Sequence, residues 1–149
     1  MQTIWLTGAE WVAVLRIGLG LWWLESWRHK DKKTWFGGGG ITWAAGVADK
    51  HRWGFVSKGF DRVVKPRPRL MAYVVAYAEL ALGLGLIFGL LTPVALVAGL
   101  LLNLIYLALM IHDWAEQGQN LMMGLISTVA LFGMSWQTWS LDQALGLFH

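Results

Sequence analysis

The chain has 149 residues, of which 56% are hydrophobic and only 14% charged, against roughly 25% charged in an ordinary soluble domain. It contains no cysteine, which excludes disulfides, thiolate nucleophiles, iron–sulfur ligation and covalent haem attachment. The net charge of +3 hides a segregation: eleven of the twelve Lys and Arg lie between Arg28 and Arg69, a stretch of net charge +8, and the remainder carries −5. One basic stretch among long apolar runs reads as a membrane protein with a basic loop, not as a nucleic-acid binder. The eleven Trp fit bilayer edges, where an indole ring is half wet.

The first span is read over about 7–27. Thr7-Gly8-Ala9-Glu10 fits a capping box, in which Thr caps the helix and Glu reaches back, and the apolar run Trp11 to Trp27 follows with Arg16 inside it. It is expected to be a retained span. There is no basic n-region, Arg16 interrupts the apolar core, and no small-residue cleavage site follows. Glu25 is expected to pair with the basic stretch.

Residues 28–69 are read as a basic interfacial loop. The run Gly37 to Gly40 is expected to lack regular structure, because glycine loses most backbone entropy on ordering. Val56, Phe60, Val63 and Val64 recur at helical spacing, with Lys58, Asp61, Arg62 and Lys65 on other faces. This predicts a short basic amphipathic helix that lies on an anionic membrane surface, packs over the bundle's end, or does both. Pro66 and Pro68 end it. Lys58, Arg62, Lys65, Arg67 and Arg69 are the expected membrane-surface set.

The second span, about 70–91, contains Glu79 near its middle. Thr92-Pro93 reads as N-cap plus first helical proline of the third span, about 93–111. That span holds Asn103 and exits at His112, Asp113 and Trp114. Ala115 to Asn120 reads as a polar turn, with Asn120 capping a fourth span at about 120–136. An apolar tail, Leu141 to Phe148, follows. The expected fold is therefore a single all-α domain over 1–149: an integral membrane four-helix bundle with a short amphipathic interfacial helix between spans one and two. The positive-inside rule puts the basic loop in the cytoplasm and the termini outside.

Arg16, Glu79, Asn103, Ser127 and Thr128 all fall near the middle of their spans, and so predict one polar layer inside the bundle. Two unpaired charges at that depth would cost about 5–7 kcal/mol on insertion scales, so an Arg16–Glu79 ion pair is expected. The pair has two readings: a bridge that fixes helix register, or a ligand or proton site. His29, His51, His112 and His149 all sit at expected interfaces or ends, so no depth-matched pair for haem and no metal site is expected. His112-Asp113 is the pair suited to proton exchange with a quinone headgroup, or His112 simply meets a helix dipole. Ala81, Gly85 and Gly89, with Ala95 and Gly99, form small-residue faces read as internal close packing or as a dimer contact.

Three stretches carry a family resemblance: LRIGLGLWWLESWRHK (Leu15 to Lys30), AYAELALGLGLIFGLLTPVALVAG (Ala76 to Gly99) and WAEQGQNLMMGL (Trp114 to Leu125). They resemble the DoxX-like membrane proteins, and within them the small, DoxD-type subunit of thiosulfate:quinone oxidoreductase. The resemblance implies a multi-pass subunit of a prokaryotic plasma membrane, with Arg16 and Glu79 at family-typical positions. It implies a tie to quinone-linked electron transfer, quinone as a dissociable ligand and no covalent cofactor. Other membrane or membrane-associated subunits would be its partners. Three functions follow: an accessory subunit of a quinone-linked oxidoreductase or electron-transport complex, a thiosulfate:quinone oxidoreductase small subunit that takes part in quinone binding, or a small-solute carrier or scaffold. No self-contained catalytic site is evident in the sequence.

Overall fold

The computed structural model describes residues 5–148, so His149 lies outside the described residues. Among the described residues the regular structure is helical throughout: α1 (Gly8–His29), α2 (Lys32–Phe36), α3 (Gly39–Asp49), α4 (Gly54–Gly59) running into a π-helical turn (Phe60–Val64), α5 (Pro68–Phe88), α6 (Thr92–Leu109), α7 (Trp114–Phe132), a 3₁₀ turn (Ser135–Gln137) and α8 (Leu141–Ala144).

The four long helices form a bundle. α1 packs along α5, α6 along α7, and the α1–α7 and α5–α6 contacts close the ring. Leu19, Trp23, Leu82, Leu86, Leu96, Met123 and Ala130 fill its centre. α1 and α5 approach closest at Gly20 and Gly83. A Cβ on Gly20 would lie 2.9 Å from the Gly83 carbonyl oxygen, and one on Gly83 would lie 2.9 Å from the Leu24 nitrogen. Small residues at such a crossing let backbones meet. The glycines that do this are not those of the expected small-residue face. Ala81 and Gly85 instead face a groove between α5 and α6 that Ala95 also lines. Gly89 (φ 65°) ends α5 in the left-handed conformation, where a Cβ is costly.

α5 and α6 are each long and apolar enough to cross a bilayer, and only 33% and 28% of their apolar windows are buried within the protein. Leu84, Leu101, Leu104, Ile105, Leu121 and Leu125 lie exposed around the bundle. An outer belt of that extent is unlike a soluble monomer's surface. Among the described residues two helices meet the length and apolarity of a span, where four were expected. α1 carries Arg16, Glu25 and Arg28, and the first turns of α7 are polar.

Several boundaries differ from the sequence expectation, each for a local reason. The Thr7 capping box is present, with the Thr7 N–H donating to Glu10 Oε2 at 2.7 Å. The four-glycine run is irregular only in its first half: Gly37 and Gly38 form a turn, Gly38 at φ 92°, whereas Gly39 and Gly40 open α3, with the Trp35 ring packed where a Cβ on Gly40 would lie. The expected helix around Val56 to Val64 is present as α4 and the π-turn, and the connection holds two further short helices, α2 and α3. Ala115 to Asn120 is not a turn. Asp113 caps α7, accepting from the Ala115 and Glu116 N–H groups at 3.0 and 3.2 Å, so the polar residues are helical and Asn120 is not a cap.

Thr92 does not cap α6 either. Leu91 holds the cap position at φ 51°, and the Leu91 and Thr92 N–H groups each donate to the Asp142 carboxylate at 2.7 Å. A carboxylate there satisfies orphan donors and meets the positive end of the helix dipole. The apolar tail therefore folds back over the α5–α6 turn, with Asp142 fully buried.

Candidate functional site

The two charges expected to pair, Arg16 and Glu79, are not partners. Arg16 is fully buried, and its guanidinium donates to four carbonyl oxygens: Leu86 (3.1 Å), Ser135 (2.5 Å), Thr138 (3.1 Å) and Trp139 (2.7 Å). A planar fork with five donors suits such a cluster of acceptors. Arg16 therefore pins the C-terminal segment to the ends of α1 and α5.

Glu79 meets Lys30 instead. Its carboxylate is 1% exposed, receives the Lys30 ammonium on Oε2 and accepts from the Tyr106 hydroxyl on Oε1 at 2.8 Å. Lys30 also lies 4.7 Å above the Trp35 ring and 3.3 Å from the Ser26 carbonyl. Lys32 sits 3.7 Å over the Trp27 ring and donates to the Trp27 carbonyl. Burial, and then the neighbouring Lys30, pushes the Lys32 pKa down. The cluster spans three long helices, α1, α5 and α6, and joins the exit of α1 to them.

Register explains the correction. Gly20 opposes Gly83 across α1 and α5, so these helices run antiparallel with Arg16 near Leu86 and Glu79 near the α1 exit. Seven residues of α5 separate Leu86 from Glu79, roughly 10 Å of rise, and Glu79 leans further away because helical side chains tilt toward the N-terminus. Residue counts from the span ends placed both charges at mid-depth because they missed this stagger.

The rest of the expected layer also divides. Asn103 is 2% exposed, and among the described residues neither its Nδ2 nor its Oδ1 has a partner. Ser127 and Thr128 bond back to their own helix, at the Met123 and Gly124 carbonyls, both at 2.8 Å. That pattern satisfies a hydroxyl locally and leaves it little to offer elsewhere. Asn103 faces Asn120, since Gly124 lies opposite Leu100 on the antiparallel α6–α7 pair. Trp23 packs beside α6: its ring centroid is 6.4 Å from that of Tyr106, and its indole N–H finds no partner among the described residues.

His112 and Asp113 are both exposed at the α6–α7 junction. The Asp113 carboxylate is engaged as the α7 cap, and the His112 ring lies 6.0 Å from that of His51. His51 is the histidine with a defined role. Its Nδ1 accepts from the Trp53 N–H at 3.1 Å and its Nε2 lies 2.7 Å from the Ala108 carbonyl, which ties the connection to the end of α6. Glu25 pairs with Arg28 (2.7 Å) and His29 (2.8 Å) at the exit of its own helix. Of the basic set, Lys58, Arg62, Arg67 and Arg69 are exposed. Lys65 bridges Asp49 (2.6 Å) and Asp61 (2.5 Å), and Asp49 first, then Asp61, holds its pKa above the ordinary lysine value.

Sequence reasoning missed Lys30, Tyr106, Asn120 and Asp142. Lys30 was legible as a cation at a span exit, and Tyr106 as a hydroxyl one turn beyond Asn103. Nothing local marks Asp142 as the cap of a helix that starts 50 residues earlier. Among the described residues no group of three His, Cys, Asp or Glu stands close enough to hold a metal ion.

A family model described as DoxX matches residues 11–113, about two thirds of the chain, from α1 to the cap of α7. No curated protein and no solved structure matches the chain.

Proposed function

The chain belongs to the DoxX family of membrane proteins, and from that premise we propose that it is a four-span accessory subunit of a quinone-linked oxidoreductase or electron-transport complex. In this reading its role is to brace and anchor, and the redox groups belong to its partners. One observation carries the bracing role: the buried charges Arg16, Glu79 and Asp142 are all engaged inside the protein, Asp142 by the Leu91 and Thr92 N–H groups. Arg16 has four carbonyl acceptors, and Glu79 has an ammonium and a hydroxyl. A proton or ligand relay keeps a group available, whereas each of these is engaged by partners within the protein, in the manner of structural pins.

The quinone link rests on the likeness of the Arg16 and Glu79 segments to the small DoxD-type subunits. By the positive-inside rule the connection between α1 and α5 faces the cytoplasm of a prokaryotic cell, and the ends of the bundle near Arg16 face outward. That connection exposes Trp43, Phe55 and Val63 beside Lys58 and Arg62. Apolar and cationic groups together suit anionic headgroups and the flank of a neighbouring subunit.

The test is purification of the tagged full-length protein from its native membranes in mild detergent. Redox subunits are expected to co-purify in fixed ratio and to be lost when Lys58 and Arg62 are replaced by Glu. A monodisperse chain with no partner would refute the reading. Thiosulfate-dependent quinone reduction by the chain with a single partner would favour the catalytic small-subunit alternative.

A further inference from the structure

The α6–α7 face carries a second polar site, which none of the bracing interactions uses. Two hollows of about 230 and 520 Å³ lie side by side along this helix pair and share Leu104, Leu107 and Leu121. The outer one opens at Trp53 and Trp114, and the inner one reaches Asn103, Asn120, Gly124 and Thr128. At its floor are two amides more than nine-tenths buried. Asn103 is 2% exposed with both amide atoms unpartnered. Asn120 is 3% exposed; its Nδ2 donates to the Glu116 carbonyl at 2.8 Å and its Oδ1 is unpartnered. Thr128, which also lines the hollow, spends its hydroxyl on Gly124.

Buried polar atoms in a native protein have partners, and those without one point to something that supplies it. We propose that this groove binds the head of a membrane-dissolved molecule that carries a hydroxyl or carbonyl group on a long apolar tail. The free groups are one amide NH2 (Asn103 Nδ2, two N–H donors) and two amide acceptors (Asn103 Oδ1 and Asn120 Oδ1). A hydroxyl donates to one acceptor and receives from the donor; a carbonyl receives from the donor alone. Neither free group is charged, which excludes a head that brings a full charge to this depth, because it would meet no counter-charge.

The mouth selects for the tail. Leu104, Leu121 and Leu125 are 51%, 63% and 56% exposed, so the groove opens on the apolar belt of the bundle, through which a ligand enters sideways from lipid. A single water takes about 30 Å³, a small part of the inner hollow, and water has no apolar path along this lip. Asn103 lies six residues from the end of α6, roughly 9 Å below it, within reach of a molecule held at the Trp53–Trp114 edge. The site goes beyond the accessory-subunit reading and does not depend on it. The ester carbonyl and free hydroxyl of a diacylglycerol offer the same chemistry as the ring carbonyls of a quinone.

The experiment uses the full-length protein in detergent micelles, titrated separately with a short-tailed benzoquinone and with dioctanoylglycerol, and followed by native mass spectrometry and thermal unfolding. One probe is expected to bind saturably at one per chain and to raise the unfolding midpoint. Whichever does so identifies the source of the ligand. Asn103→Leu and Asn120→Leu are expected to weaken that binding at least tenfold, and Ser127→Ala, whose hydroxyl is spent on its own helix, to leave it unchanged. Gly124→Leu fills the hollow while keeping both Asn residues and is expected to abolish binding, so the idea stays testable if an Asn variant does not fold. Saturable binding by neither probe, or equal binding by wild type and the Asn and Gly124 variants, would overturn the proposal. So would Leu variants that are simply more heat-stable than wild type with no probe bound, which is the behaviour of an empty or water-filled groove.

Discussion

If Glu79 is held by Lys30 and not by Arg16, the energetic coupling between residues must follow the contacts. Lys30→Met leaves a carboxylate 1% exposed with only the Tyr106 hydroxyl. Removal of one partner of a buried ion pair costs about 3–5 kcal/mol. Glu79→Gln is milder. The Lys30 side chain is 11% exposed and keeps the Ser26 carbonyl and the Trp35 face, so about 1–3 kcal/mol is expected, the loss of one charged hydrogen-bond partner. The double variant buries no charge and should cost clearly less than the sum, with a coupling of at least about 1.5 kcal/mol, inside the usual range for contacting residues. Arg16→Met paired with Glu79→Gln should instead be additive within about 0.5 kcal/mol, because roughly 10 Å or more separates the groups. The assay is reversible unfolding in mixed micelles with a denaturing detergent, read by circular dichroism for wild type, the three single variants and the two double variants. A larger coupling for Arg16–Glu79 than for Lys30–Glu79 would sink the register assigned to α1 and α5.

Three further outcomes follow from the same contacts. Arg16→Lys keeps the charge but has three donors for four carbonyls, so at least one acceptor loses its partner at about 1–3 kcal/mol; limited proteolysis is then expected to cut between Gly133 and Phe148 faster than in the wild type. Asp142→Ala removes both acceptors of the Leu91 and Thr92 N–H groups and should cost about 1–2 kcal/mol, as for a lost N-cap; faster amide exchange confined to the start of α6 would confirm it, and unchanged exchange there would refute the capping role. Gly83→Ala places a Cβ 2.9 Å from the Leu24 backbone nitrogen, so α1 and α5 must separate at about 1–3 kcal/mol. Gly18→Ala, where a Cβ meets nothing within 4 Å, should be neutral or stabilising in the same unfolding assay.

Local signals in the sequence were read correctly where the structure keeps them local. Thr7 and Glu10 cap α1 as the capping-box pattern implies. The same logic was available at the start of α7, where Asp113 stands three residues before Glu116, yet the polar run Ala115 to Asn120 masked it. Gly39 and Gly40 looked like breakers because nothing local shows that Trp35 occupies the space where a Cβ would sit.

By itself the sequence determined the helical class, the apolar length of α5 and α6, the segregation of the basic residues, and the need of Glu79 for a partner. Each follows from side-chain chemistry read along one helix, where period, caps and burial cost act over a few residues. The identity of that partner was a tertiary decision. The stagger of α1 against α5, set where Gly20 meets Gly83, carries Glu79 to Lys30 and leaves Arg16 to carbonyls more than a hundred residues away in the chain. The facing of Asn103 and Asn120 was decided the same way, by the antiparallel register of α6 on α7. Helix rotation and stagger come from the summed packing of whole faces, and no single residue carries that sum.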